Sequence, residues 1–185
     1  MTEPETPLPF PPAPPEEPPS RRRVIGALAH AIREQTFLSA GDVAELRRME
    51  PELPAPAFWR IAASYLEPLL PRGGEARERA ERAWAWLVSA LALAKGAHAP
   101  TSLGAALVEA GVSEVRLEAL LRAGDAQLPE RLRMVVHLAD SRGVSLDFDA
   151  LARLLLQPAD HPSGQRARRR VARDYYAALY RKDKS

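Results

Sequence analysis

The chain has 185 residues, with 26 Lys and Arg against 24 Asp and Glu, four His and no Cys, a length that holds one globular domain or two small ones. The lack of cysteine excludes a disulfide scaffold, a thiolate zinc site and a cysteine nucleophile, and points to a reducing cytoplasm. The longest nearly uncharged run, Trp84 to Ala94, is shorter than the ~20 residues that cross a bilayer, and the first residues are Pro and Glu where a signal peptide needs basic and apolar regions. A soluble intracellular protein with no membrane partner is expected.

The net charge of +2 conceals two opposed regions. Residues 1–20 hold Glu3, Glu5, Glu16 and Glu17 with no basic partner, which leaves +6 on the remainder. Of the basic side chains 23 are Arg and three are Lys, and a guanidinium can fork onto a phosphate or stack on a base where an ammonium cannot. A codon or thermal-stability bias toward Arg, Ala, Leu and Pro accounts for the same composition, so the position of the arginines has to decide.

Nine of the 18 prolines fall between residues 4 and 19. Prolines remove amide donors and favour extended polyproline conformers with no core-forming pattern, so residues 1–20 read as a disordered or surface-draped leader or a ligand for a proline-binding groove. From Ser20 onward the pattern is helical. Ser20 is placed as an N-cap, with Val24, Leu28 and Ile32 on one face of a helix ending near Gln35. Ser39 to Asp42 break the pattern before a short helix with Leu46, Arg47, Arg48 and Met49, and Pro51, Pro54 and Pro56 impose an extended connection. Pro56 suits the first turn of the next helix, through Phe58, Trp59, Ile61, Ala62 and Tyr65 toward Pro68.

After the Arg72-Gly73-Gly74 loop, the longest helix is expected over about 75–95. Trp84, Leu87, Val88 and Leu91 form its core stripe, and Gly96 is its left-handed terminator. Short helices follow near 102–110 and 114–122, stopped by Gly111 and Gly124. Another opens at Pro129 and runs to about Ser141 with Leu132, Val135, Val136 and Ala139 inward. Asp147 then caps a segment with Leu151, Leu154 and Leu155, and no segment alternates as a strand. The last helix, about 162–181, places Val171, Tyr175, Ala178 and Leu179 on one side at 3.6 residues per turn. Arg166, Arg169, Arg170 and Arg173 fall on the other, extended by Tyr180 and Arg181. The whole reads as an all-α protein of about nine helices and no sheet, in two packed helical bundles, 21–96 and 97–182.

Catalytic chemistry has little to rest on. His30, His98, His137 and His161 lack metal-ligand spacing, and neither a G-x-S-x-G elbow nor a G-x-x-x-x-G-K loop occurs. Asp140, Asp147 and Asp149 near His137 are the best acidic cluster for a divalent ion, but helix capping explains the latter two more simply. No catalytic residue, metal or cofactor is expected. Glu75/Arg79, Glu78/Arg82 and Glu118/Arg122 stand four apart, the spacing of intrahelical ion pairs. That leaves Arg47, Arg48, Arg60, Lys95, Arg116, Arg131, Arg133 and the last-helix cluster to meet a polyanion. The alternative is a protein–protein adaptor whose arginine faces dock acidic partners.

The order of several short motifs resembles the small subunit of the type I-E CRISPR surveillance complex Cascade, the CasB family, over residues 21–180. They are Gly41-Asp42-Val43-Ala44-Glu45-Leu46-Arg47-Arg48-Met49, Pro56-Ala57-Phe58-Trp59-Arg60, Lys95-Gly96, Thr101-Ser102-Leu103-Gly104-Ala105-Ala106-Leu107, Arg116 to Ala123, Leu146-Asp147-Phe148 with Ala152-Arg153, and Gly164-Gln165-Arg166-Ala167-Arg168. The resemblance implies a non-catalytic helical protein, present as two copies among other Cascade subunits, that helps hold guide RNA, target DNA and the displaced strand. In such a complex base pairing reads sequence and the protein needs only placed cations. It implies backbone contacts by Arg47, Arg48, Arg60, Lys95, Arg116, Arg122, Arg133, Arg166 and Arg168, with Arg79 as a further match. The family's Lys-Arg-x-Arg segment reads Gln165-Arg166-Ala167-Arg168 here, and Met134 interrupts its double arginine. Arg131, Arg169 and Arg170 are expected to compensate.

Overall fold

The computed structural model describes residues 20–182 and Lys184, so the expectations for the leader lie outside the described residues. Among these the chain forms nine α-helices. They are α1 (Arg21–Glu34), α2 (Ala40–Arg48), α3 (Pro56–Ile61), α4 (Gly74–Leu93), α5 (Leu103–Glu109), α6 (Glu114–Arg122), α7 (Leu128–Ser141), α8 (Phe148–Leu156) and α9 (Pro162–Lys182). Extended pairing among the described residues is confined to two isolated bridges, Glu50 with Leu53 and His98 with Leu146. The all-helical fold is therefore as the periodicity predicts.

Short polar side chains start most of these helices, because the first amides of a helix have no internal acceptor. Ser20, Ser102 and Ser113 each accept from the backbone amide three residues on, and Asp147 accepts from Asp149 and Ala150. Residues 39–42, expected as a break, instead form the start of α2. Asp42 accepts from the Ser39 amide at 2.9 Å while Ser39 Oγ accepts from the Asp42 amide at 3.1 Å, a reciprocal capping box. Pro56, Pro129 and Pro162 sit in first turns, where the missing amide costs nothing. The helix expected to run unbroken toward Pro68 changes character after Ile61, passing into a π-helical turn over Ala62–Leu66 and a 3-10 turn over Glu67–Leu69.

The central element is α4. Every residue from Trp84 to Ala92 is buried, more than the one stripe expected, because α1, α2, α7 and α8 all pack on it. The hydrophobic core is continuous from Val24 in α1 to Tyr175 in α9. A left-handed turn ends α4, with Lys95 at φ 53° and Gly96 at φ 73°, as the sequence predicts for Gly96. Any β-carbon at residue 96 would also collide with the carbonyl oxygen of Ala29 in α1, so glycine is required there on both counts.

Helix α9 lies along α5 and α8. Gly104 lets the α5 backbone meet Val171, Asp174 and Tyr175 directly, since a β-carbon there would overlap their main-chain atoms. Val171 and Tyr175 are buried as expected, and the Tyr175 hydroxyl donates to the Val112 carbonyl at 2.6 Å. This satisfies a phenol that could not otherwise be buried cheaply.

Candidate nucleic-acid interface

Residues of α2, α4 and α7 bring together the largest set of the expected cations. Along α4 a second stripe runs through Arg79, Arg82, Trp86, Ala90 and Leu93, at helical spacings of three and four. Trp86 is the floor of two neighbouring recesses. One, an open cleft of about 620 Å³, is walled by Arg79, Arg82 and Arg133. The other, about 90 Å³, is walled by Arg47, Arg133 and His137. Arg47, Arg79 and Arg133 make no ion pair among the described residues, and neither do Arg48, Arg116 and Arg131.

The expected pairs Glu75/Arg79 and Glu78/Arg82 do not form. Arg82 reaches Glu52 at 3.9 Å instead, and Arg77 holds Glu81 at 2.8 Å and Glu67 at 2.6 Å. Arg79 is thereby free to meet a ligand. Pairing with Glu78 would remove Arg82 from the cationic surface, and the core stripe of α4 omits Trp86, yet both line the cleft. The signal for both is in the sequence, as a second stripe continuing Arg79 down α4. Carboxylates of Glu52, Asp125 and Glu130 also line the larger cleft, so its arginines face a mixed field.

The other candidates are partnered to different degrees. Arg60 forms an ion pair with Asp42. Burial alone would raise the Asp42 carboxyl, but the hydrogen bonds from Ser39 and the charge of Arg60 outweigh it and hold the group below the usual carboxylate range. Lys95 stands 3.6 Å from Asp140, and Arg122 meets Glu118 at 2.8 Å as its spacing predicts. These pairs are largely exposed, worth about 0.2–1 kcal/mol, and a phosphate can compete for either cation.

Arg116 and Arg131 border a separate groove between α6 and α7. Its walls are Val112, Val115, Ala119, Met134 and Leu138, and no carboxylate lines it. Val115 and Met134 are 76% and 49% exposed. Met134, which interrupts the family's double arginine, thus contributes apolar surface between cations.

The third surface belongs to α9. Arg166, Arg169, Arg170 and Arg173 are exposed, with Tyr176 and Tyr180 beside them. Asp174 lies 3.8 Å from Arg170 and 3.7 Å from Arg173, and also accepts from Ser102 at 3.1 Å. The recess that Arg170 lines and the two recesses around Trp86 share no residue.

Arg168 departs from the nucleic-acid contact that the family resemblance implies for it. It is 8% exposed and turns beneath α6, donating from Nη1 to the carbonyl oxygen of Leu121 at 2.9 Å and more weakly to that of Leu120 at 3.4 Å. Those carbonyls end α6, where the helix dipole is negative. Residue 168 lies one turn from both Gly164 and Val171, which are buried, so the helical register carries it inward. Its Nε and Nη2 have no partner in the structure.

The acidic cluster is dispersed among other tasks. Asp147 caps α8, Asp140 faces Lys95, and Asp149 is buried between Arg21, at 2.7 Å, and Arg153. Burial alone would raise the Asp149 carboxyl, and the two guanidinium groups pull it below its usual range. Among the described residues no three His, Cys, Asp or Glu side chains are grouped to hold a metal ion. No helix among them is long and apolar enough to cross a membrane.

Comparison with known proteins agrees with this architecture. The crystal structure of CasB from Thermus thermophilus superposes with a TM-score of 0.64 at 28% identity, covering 86% of this chain and 99% of that one. A chain in the crystal structure of E. coli Cascade bound to a PAM-containing double-stranded DNA target gives a TM-score of 0.57 at 25% identity, covering 82% and 95%. CasB of M. ruber, 17% identical with a TM-score of 0.61 over 90% and 98%, shares the fold. No curated protein sequence matches. The profile of the CRISPR-associated protein Cse2 matches residues 42–176, and on that match the chain belongs to the Cse2 family, also called CasB.

Proposed function

We propose that the protein is the small subunit of a type I-E Cascade complex in the cytoplasm, non-catalytic and present as two copies beside the other Cascade subunits. It holds the backbones of crRNA, target DNA and the displaced strand and so stabilises the R-loop. The observation that carries this reading is the convergence of Arg47, Arg79, Arg82 and Arg133 around Trp86, three of them without an ion-pair partner among the described residues. Unpaired guanidinium groups on three rigid helices suit phosphates at fixed positions and read no base. Arg48, Arg116, Arg131, Arg166, Arg169 and Arg170 extend the cationic surface, and Arg60, Lys95 and Arg122 join it by exchanging a carboxylate for a phosphate. Arg168, which the resemblance also assigns to nucleic acid, supports the surface from beneath.

The test is binding of a labelled single strand, and of assembled Cascade to its target duplex, by wild type and by the Arg47→Glu/Arg133→Glu variant at two salt concentrations. Weaker binding is expected, with the single-strand log–log salt slope reduced by about 0.7 for each phosphate that is no longer neutralised. Unchanged affinity and slope in a folded variant would refute the assignment. A second reading, docking of a partner protein, is favoured by the exposed apolar groove of Val115 and Met134. Val115→Asp should then release a Cascade partner while leaving single-strand binding unaltered.

A further inference from the structure

Positions 166, 169, 173, 176 and 180 alternate spacings of three and four, so Arg166, Arg169, Arg173, Tyr176 and Tyr180 share one stripe of α9. It lies opposite the buried Gly164, Arg168, Val171 and Tyr175. The stripe is ordered along the helix axis, with cations in its first half and rings in its second, over a rise of ~21 Å. Tyr176 and Tyr180 are 48% and 61% exposed, whereas neighbouring Tyr175 is 2% exposed. Two rings one turn apart are thus left in water beside three guanidinium groups.

The polar groups around the stripe divide it further. Arg166 and Arg169 make no ion pair among the described residues, and Arg173 stands 3.7 Å from Asp174. The Tyr176 hydroxyl is answered by Glu114 of α6, and after burial the carboxylates of Glu114 and Glu118 raise that phenol above its usual range. Its polar tip being taken, Tyr176 presents its ring. The same carboxylates repel phosphate from the tyrosine half and leave it to the arginine half. Lys184 Nζ lies 4.4 Å from the ring centroid of Tyr180, so a cation stands at the second ring as well.

We propose that this stripe is a binding site for an unpaired nucleic-acid strand, with phosphates on Arg166, Arg169 and Arg173 and bases stacked on Tyr176 and Tyr180. The proposal rests on the function given above and adds a contact that the α4 cleft cannot make, since Trp86 there is 3% exposed and has no ring to offer a base. Base–aromatic stacking tolerates any sequence because every base has a π-face. A duplex keeps those faces stacked on one another, so the stripe distinguishes unpaired from paired nucleic acid and reads no sequence. A protein partner needs an apolar centre to its contact, and the stripe holds no aliphatic side chain. That kind of surface is the α6–α7 groove.

The test uses the full-length chain, a single strand of about 12 nucleotides carrying one aminopurine, and the same sequence as a duplex. Binding should quench the aminopurine. Tyr176→Ala and Tyr180→Ala should each weaken single-strand affinity about 5-fold or more and reduce the quench. The log–log salt slope and the duplex affinity should stay as in wild type, because no phosphate contact is lost. Tyr176→Phe and Tyr180→Phe keep the ring and should bind as wild type does. DNA and RNA strands run side by side identify, by the tighter complex, which unpaired strand the stripe holds. Alanine variants that are folded by circular dichroism and bind the single strand unchanged would overturn the proposal. So would an equal loss on the duplex, or phenylalanine variants as weak as the alanine ones. Release of a protein subunit from assembled Cascade with single-strand binding intact would instead make the stripe a protein-docking face. The Arg47→Glu/Arg133→Glu variant reports through the salt slope and the tyrosine variants through the quench at constant slope, so the two failures are distinguishable.

Discussion

Arg168 and Leu121 are joined by a 2.9 Å hydrogen bond from the guanidinium of α9 to the carbonyl that ends α6. A residue that the family resemblance assigns to nucleic acid therefore acts as a helix cap from a distant part of the chain. Arg168→Glu places a carboxylate against carbonyl oxygens in a buried site and should cost about 3–5 kcal/mol. With about 2–4 °C per kcal/mol for a domain of this size, the thermal midpoint followed by circular dichroism should fall by ~6–20 °C. Arg166→Glu and Arg169→Glu should melt within a few degrees of wild type while weakening nucleic-acid binding.

Two glycines give opposite outcomes with alanine. Gly104→Ala forces α5 away from α9 and should destabilise by about 1–3 kcal/mol. Gly26 is mid-helix with open space where a β-carbon would stand, so Gly26→Ala should stabilise by about 0.5–1 kcal/mol. Denaturant midpoints measured side by side check both.

Asp149 links α1 to α8 through Arg21 and Arg153. Its folded carboxyl titrates below the ordinary value, so the stabilisation is complete above the unfolded pKa of ~3.9 and disappears as pH falls from there through the depressed folded value. Asp149→Asn should lower stability at neutral pH by about 1–3 kcal/mol, less than a fully buried pair because both arginines are partly solvated. It should also flatten the acid limb of a stability–pH curve below pH ~4. An unchanged acid limb would show that other carboxylates control it.

Arg82 should matter to binding although it stands four residues from Glu78. Arg82→Glu is expected to weaken single-strand affinity by at least as much as Arg122→Glu, whose cation is shared with Glu118. Titration of both variants at one salt concentration ranks them.

Most of the fold is legible in the sequence because periodicity and punctuation act locally. Ser20, Pro56, Gly96, Pro129 and Asp147 each mark a boundary through their own backbone chemistry. The Ser39–Asp42 box is harder to see because Ala40-Gly41 between them looks like a turn, and only the reciprocal hydrogen bonds show it as a helix start. The π-helical turn at Ala62–Leu66 has no local marker. Side-chain partners are the least legible feature. Glu118 and Arg122 pair as spaced, while Arg82 turns to Glu52, which the turn at Glu50–Leu53 brings near it, and Arg79 forms no pair with Glu75. The burial of Arg168 depends on where α9 meets α6, a relation fixed by contacts some 50 residues apart.

The left-handed turn at Lys95–Gly96 is pressed against Ala29 of α1, so the reversal that launches the second half of the chain is shaped by the first helix. The seating of α1 on α4 and the direction in which the chain leaves α4 are therefore a single constraint, and a side chain at 96 would loosen the α1–α4 contact and redirect the path toward α5 at once.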